Sequence, residues 1–312
     1  MISFATNVKN EIATYNGNKS ENIAELSAIM RNNAKYSDNK IELVTENSKV
    51  AKRIYLLLKD IYNVNADIIN RDNAFKRNHL YVITFADKID LILKDLCVID
   101  DNGNYIKTIG NYLVDSEEEI RAYLKGIFMI TGSVNDPKTS RYHLEFFIQE
   151  EDEANFISEL LNGFYLNSKI LKKDKKYMIY IKEAEKIGDF LRIINAPQAV
   201  MYYEDIRIYR DHKNMTNRLN NMEQANIEKT INTCNEQIED INLIMEKLGE
   251  DFLDEKTLEV VTYRMKYPES SLQELSEIMT LEVGKNFTKS CLNHRFRKIK
   301  DMARKIRENE KS

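Results

Sequence analysis

The chain has 312 residues, 43% of them hydrophobic, with 46 Lys and Arg against 50 Asp and Glu, which suits a packed globular protein of about two domains. No run approaches roughly 18 uninterrupted apolar residues, which excludes a helical membrane span. The opening Met1-Ile2-Ser3-Phe4 lacks the basic stretch and apolar run of a signal peptide. Cys97, Cys234 and Cys291 lie too far apart for a zinc pattern or a disulfide framework, so the expectation is a cytoplasmic protein with reduced thiols.

Phe4, Val8 and Ile12 at i+4 spacing, with Ser3 as N-cap, predict a short amphipathic helix. A helix over 21–32, a strand over 40–45, a helix over 47–61, strands over 66–70 and 80–85, and a helix over 88–96 follow. The same order then recurs: helix 116–130, strand 142–148, helix 152–162, strands 169–171 and 177–181 joined by a basic turn, and helix 183–194. Leu26 and Leu124 occupy matching positions 98 residues apart. The fold class is therefore α+β, with a duplicated N-terminal domain whose halves span 1–110 and 111–196.

Between residues 197 and 249, Ile227, Ile231, Cys234, Ile238, Ile241 and Met245 recur every three or four positions. That spacing predicts one apolar stripe on a long helix, with Gly249 suited to cap it. Residues 197–250 thus read as a helical linker to an all-α tail domain over 251–312. In the tail, a helix over 257–267 stops at Pro268. Ser270 or Ser271 caps a second helix over 272–279, with Glu274 placed as in a capping box. Leu275 and Ile278 are expected to face inward. A connection through Gly284 leads to a third helix beginning near Thr288, with Leu292, Phe296, Ile299, Ala303 and Ile306 as its core stripe. Three helices joined in this way form a helix-turn-helix unit.

The opposite face of the third helix carries Lys289, Ser290, Asn293, His294, Arg297 and Lys298. A recognition helix sets its N-terminal side chains against base edges in the major groove. Asn pairs bidentately with adenine and Arg with guanine. Ser290, Asn293, His294 and Arg297 are the base-edge candidates. Lys285, Lys289, Lys298 and Lys300 are candidates for phosphates, and Ser271 and Thr288, at the helix starts, complete the expected DNA-binding set. From Lys285 to Ser312 ten Lys or Arg face three acids, a formal +7 that leaves −11 for the rest of the chain. A basic face is also what an ordinary solvated helix shows, and His294 alone reads equally as a surface histidine. The helix lengths, the short turn and the confinement of positive charge to the last helix favour DNA. No aromatic stacking platform suggests single strands, so the expected partner is double-stranded DNA.

Several runs resemble the WhiA family of Gram-positive bacteria, nearly end to end. They are Ser3-Phe4-Ala5, Ala24-Glu25-Leu26-Ser27-Ala28, Arg121-Ala122-Tyr123-Leu124-Lys125-Gly126, Gly132-Ser133-Val134-Asn135-Asp136-Pro137, Asn217-Arg218-Leu219 and Asn293-His294-Arg295-Phe296-Arg297-Lys298. The resemblance implies a domain like a LAGLIDADG homing endonuclease and a tail similar to the DNA-binding region 4 of sigma factors. It also implies a nucleoid-associated role in transcription and in cell division, chromosome segregation or, where the organism does so, sporulation.

Homing endonucleases of that kind hold divalent metal on one acid at the foot of each of two central helices. Laid on residues 26–34 and 124–132, the two nine-residue motifs put the acid positions on Asn33 and Thr131, which carry no negative charge. Ala28 and Gly126 stay small where the helices would approach. The expectation is a fold without its chemistry: no enzyme, no metal, no cofactor and no small-molecule substrate. A slipped alignment would turn instead to Asp38 and Asp136, although Asp136 before Pro137 also fits a turn. Lys169, Lys172, Lys173, Lys175 and Lys176 surround one hairpin turn, and Arg71, Lys76, Arg77 and His79 the comparable one. These are a candidate second DNA contact or simply solubilising charge. The Asn-rich stretch 210–230 reads equally as a partner surface or as interdomain packing. The leading function is a non-catalytic DNA-binding transcriptional regulator. The rivals are a metal-dependent endonuclease and an interaction module contacting RNA polymerase or a partner regulator.

Overall fold

The computed structural model describes residues 2–37, 39–72, 79–107, 109, 111–139, 141–174 and 176–309. Its first helix, α1 (Phe4–Ile12), starts where Ser3 Oγ accepts from Thr6 N at 3.1 Å. Two compact units divide the chain, Met1–Asp211 and His212–Ser312.

The first unit is built twice on one plan. The first half runs α2 (Lys19–Asn33), β1 (Lys35–Ser37), β2 (Lys40–Thr45), α3 (Ser48–Tyr62), β3 (Asp67–Asp72), β4 (His79–Phe85) and α4 (Ile89–Asp95). The second runs α5 (Glu117–Thr131), β5 (Gly132–Val134), β6 (Leu144–Ile148), α6 (Glu151–Gly163), β7 (Lys169–Lys173), β8 (Lys176–Ile181) and α7 (Ala184–Ile193). Asn18 with Glu21 and Ser116 with Glu119 form capping boxes at equivalent helix starts. The two sheets have the same antiparallel order, β1-β2-β4-β3 and β5-β6-β8-β7. Each half holds one strand more than the sequence pattern predicts. Three-residue strands such as β1, exposed along its length, are too short to show an alternation.

Helices α2 and α5 lie at the centre, buried along residues 24–30 and 122–129. A Cβ added to Gly126 would stand 2.5 Å from the Glu25 carbonyl oxygen and 2.9 Å from Ala28 Cβ. The expected small residues therefore do meet. The close approach takes charge into the interior. Glu25 is fully buried and accepts from Arg53 Nε at 2.9 Å and Nη2 at 2.7 Å, while Lys125 Nζ lies 2.8 Å from Oε2. Asn16 and Asn22 accept two further Arg53 protons, from Nη1 and Nη2, at 3.0 and 2.8 Å. A second buried pair ties the halves together, with Arg31 on α2 donating to Glu153 on α6 at 2.8 and 3.0 Å.

Helix α8 (Pro197–Leu248) begins in the first unit, where the Glu11 carboxylate accepts from the backbone of Gln198 and Ala199 at 2.7 and 3.0 Å. In the second unit the end of α8 packs with α9 (Glu255–Lys266), α10 (Leu272–Val283) and α11 (Lys289–Asn309). Ile241, Ile244, Val260, Val261, Leu275, Met279, Leu292, Phe296, Ile299 and Ala303 form its core. Two details differ from expectation. Met279, not Ile278, takes the core position of α10. On α8, Cys234 and Ile241 are buried, but Ile227 and Ile231 are exposed, because the tail helices cover only its last turns. Among the described residues, no helix is long and apolar enough to cross a membrane.

Gly126→Ala is expected to lower the unfolding free energy by about 1–3 kcal/mol in urea titrations, although Ala is the better helix former. Unchanged stability would mean that α2 and α5 separate at little cost. A pH effect follows from Lys9, whose ammonium lies 5.8 Å from the Phe128 ring and whose pKa burial lowers to about 8 against the opposing charge of Glu46. Between about 8 and 10.5 the unfolded chain keeps a proton that the folded chain has released, so stability from this site rises with pH. Lys9→Met should flatten that rise relative to wild type when unfolding is followed across the window.

Candidate nucleic-acid interface

Four local devices set the α9–α10–α11 geometry. At the start of α9 the Asp254 side chain accepts from Thr257 N at 2.8 Å. At the start of α10, Ser271 Oγ accepts from Glu274 N at 3.2 Å while Ser271 N donates to Glu274 at 2.7 Å, the expected capping box. At the far end, Gly284 takes φ +70° and caps α10, a left-handed conformation that favours glycine. The turn into α11 is held by Thr280, whose hydroxyl accepts from Phe287 N at 3.1 Å, and by Ser276 Oγ, which donates to Phe287 O at 2.8 Å.

The residue that sequence reasoning missed is Arg264. It is fully buried, lies 5.4 Å from the Phe296 ring and donates to the turn carbonyls of Tyr267 and Ser270 at 3.3 and 2.5 Å. Burial pulls its guanidinium below the usual range. The signal was present in the spacing: Thr257, Val260, Val261 and Arg264 are the buried face of α9, at i, i+3, i+4 and i+7. Arg264 fastens the turn from which α10 departs.

On α11, Leu292, Phe296, Ile299 and Ala303 are buried, and Ile306 is half-buried, as the core stripe requires. Lys289, Ser290, Asn293, His294, Arg297, Lys298 and Lys300 are all exposed, as are Lys285 and Thr288 before the helix. The helical period brings Ser290, Asn293 and Arg297 onto one face. His294 and Lys298 turn toward the edge of a cleft shared with Asp254, Glu255 and Arg295. Hydrogen bonds from Thr257 hold the Asp254 carboxyl below its usual range, with Lys298 and Arg295 adding attraction. Lys300, seven residues beyond Asn293 and so on the same side of the helix, pairs with Glu236 of α8 at 3.1 Å. Thr288 Oγ1 accepts from Cys291 N at 3.2 Å, and Ser271 is engaged in its cap, so both act first as helix starters.

In the first unit Asn33 and Thr131, the positions at which acids would be expected in a nuclease of this fold, bond to backbone groups. Asn33 accepts from Val44 N at 2.7 Å and donates to Val44 O at 3.1 Å, fastening the foot of α2 to β2. Thr131 donates to its own helix at Ile127 O, 3.1 Å away. Both line a cleft of about 680 Å³ with Arg31, Glu150, Glu153 and Lys176. Asp136 accepts from Lys138 N at 2.9 Å and from the Tyr202 hydroxyl at 3.2 Å. Among the described residues no group of three or more His, Cys, Asp or Glu is placed to hold a metal ion.

The basic hairpin differs from the expected turn. Lys169, Lys172, Lys173 and Lys176 stand on strands β7 and β8, with Asp174 at φ +56° between them. Lys172 and Lys173 lie 5.3 and 5.8 Å from the rings of Tyr177 and Phe147. Lys175 lies outside the described residues, as do Lys76, Arg77 and Asp38. Arg71 ends β3 and His79 begins β4.

A duplicated α+β unit with its two central helices face to face, followed by a helix-turn-helix unit, defines a class of LAGLIDADG-like proteins with a C-terminal helix-turn-helix domain. Residues 19–99 match the WhiA N-terminal LAGLIDADG-like domain, residues 120–213 the WhiA LAGLIDADG-like domain, and residues 216–303 the WhiA C-terminal HTH domain. Relatives from Bacillus thuringiensis (strain Al Hakam) and Bacillus cereus (strain AH187), each named probable cell division protein WhiA, are 42% identical over 99% of this chain and 98% of their own length. The crystal structure of full-length WhiA from Thermatoga maritima shares the fold with a TM-score of 0.58 at 23% identity, covering 97% of this chain and 99% of its own. The chain belongs to the WhiA family.

Thr280→Val keeps the shape of the side chain but removes the acceptor for Phe287 N. Thermal or urea unfolding of the full chain should register a loss of about 1–3 kcal/mol in the second unit. A neutral result would show that the turn into α11 is held by packing alone.

Proposed function

We propose that this protein is a non-catalytic regulator that binds double-stranded DNA through α11 and acts in cell division. The observation that carries the reading is the exposed set Ser290, Asn293 and Arg297 on a helix whose other face is locked into the core of its unit. A rigid helix with one hydrogen-bonding and basic face is what major-groove readout requires. Membership of the family supports the cellular role, since the Bacillus relatives are named as cell division proteins. Nucleoid association, a part in chromosome segregation and, in sporulating organisms, in sporulation belong to the same reading. Lys285, Lys289 and Lys298 are assigned to phosphates, with Lys300 shared with Glu236. Lys172, Lys173 and Lys176 are assigned as a weaker second contact.

The first unit is proposed as a scaffold rather than a nuclease. The support is that Asn33 and Thr131 spend their side chains on backbone groups and offer no charge to a metal. Incubating the protein with plasmid and Mg²⁺ or Mn²⁺ should give no cleavage; cutting that Asp136→Ala abolishes would overturn the scaffold reading. Binding to naked promoter DNA without polymerase is expected as well, and its absence would favour a tail that docks on RNA polymerase or a partner regulator.

The readers and anchors separate in a salt titration. Lys298→Ala should lower the slope of log K against log salt by roughly one unit and weaken all sequences alike. Asn293→Ala should relax preference at one base by roughly 1–3 kcal/mol and leave the slope unchanged. Identical behaviour of the two variants would overturn the division.

A further inference from the structure

Residues 212–229 of α8 are exposed at every position, although the helix is unbroken from Pro197 to Leu248. Exposure on all sides is an unusual state for a helix, since most helical stability comes from packing one face. The stretch is also a weak helix former. Asn214, Asn217, Asn220, Asn221 and Asn226 all disfavour the helix relative to Ala. Side-chain support along it includes a Gln224–Glu228 hydrogen bond at 3.0 Å and a Thr216 hydroxyl bonded to its own backbone.

Met215, Leu219 and Met222 keep heptad spacing here, with Ile227 outside it and Lys229 closing the seam with a charge. With His212, Leu219 and Asn226 at position a, Met215 and Met222 fall at position d. Met215, Leu219 and Met222 are 63, 51 and 59% exposed, one uncovered seam along the helix. Arg218 then stands at g and Glu223 at e, five residues apart. That is the separation at which g of one helix meets e of its neighbour in a parallel two-stranded coiled coil, and symmetry makes the pair twice. Asn226 at a would meet its own copy, the polar a-position contact that sets register and favours two strands. Lys213, Arg218 and Lys229 face Glu223 and Glu228, so the stretch is near neutral and lacks the charge of a nucleic-acid grip.

We infer that residues 212–229 of α8 pair with the same residues of a second copy of this chain as a short, parallel, in-register coiled coil. At about 1.5 Å per residue the seam is roughly 27 Å long. So short a seam forms a dimer that dissociates on dilution. The inference stands apart from the DNA-binding reading, because it rests on α8 alone.

Sedimentation of the full chain over a dilution series should show a reversible monomer–dimer equilibrium. Arg218→Glu should weaken the dimer severalfold by setting two acids together, and Arg218→Glu with Glu223→Arg should restore it. In a Cys291→Ser background, Leu219→Cys should form a disulfide-linked dimer under mild oxidation, whereas Asn220→Cys, turned away from the seam, should not. Far-ultraviolet circular dichroism confirms that each variant is folded. A monomer at every concentration, or equal cross-linking at 219 and 220, would overturn the inference. Failure of the double charge swap to restore the dimer would overturn the parallel register. DNA binding by a strictly monomeric chain would sink the dimer and leave the regulator reading intact.

Discussion

The first unit depends on how closely α2 and α5 approach at Ala28 and Gly126. With no room for a Cβ at Gly126, the two backbones come near enough that Glu25 is shut off from water. A buried carboxylate without partners is costly, and here Lys125 and Arg53 both answer it. Desolvation lowers the Lys125 ammonium below its usual range, with Glu25 opposing. The pattern of the duplication shows how specific this arrangement is. Tyr123 stands 98 residues after Glu25, and Phe156 lies as far beyond the start of α6 as Arg53 beyond that of α3. In the second half the equivalent pair is an edge-to-face aromatic contact with centroids 5.8 Å apart. One half thus closes on charge and the other on rings, while Arg31 and Glu153 tie the two halves together.

The second unit solves a similar problem at a smaller scale. Its core is modest, so the turns between helices matter as much as apolar burial. Arg264 sits under Phe296 and reaches the carbonyls of the α9–α10 turn, and Thr280 and Ser276 bind Phe287 at the entry to α11. These contacts leave the far face of α11 exposed but rigidly presented. Rigid presentation is what separates a reading helix from a merely basic one, because each base contact requires side chains held at fixed positions. The proposed function draws on this rigidity more than on the count of positive charges.

The proposed loss of nuclease chemistry also has a structural counterpart. Asn33 does not sit idle where the acid would be; it bonds Val44 in both directions and ties helix to strand. A carboxylate at that place would lack the amide donor toward Val44 O. Asn33 thus serves as a brace between helix and strand, which fits the proposed role of the unit as a scaffold.

Much of this was legible in the sequence because it is local. The repeat of helices and strands, the capping box of Ser271 and Glu274, the left-handed Gly284 and the core stripe from Leu292 to Ala303 all follow from spacing and residue type. The small residues Ala28 and Gly126 likewise announce a close helix contact. Strands β1 and β5 were not legible, because three residues acquire strand character only by pairing with a neighbour. Tertiary structure alone decided which charges are spent internally: Glu25 against Lys125 and Arg53, Arg264 against its turn, Lys300 against Glu236. It also decided that the stripe on α8 is covered at Ile241 and bare at Ile227. Periodicity says which side of a helix is apolar, but only the placement of distant segments determines what, if anything, lies against it.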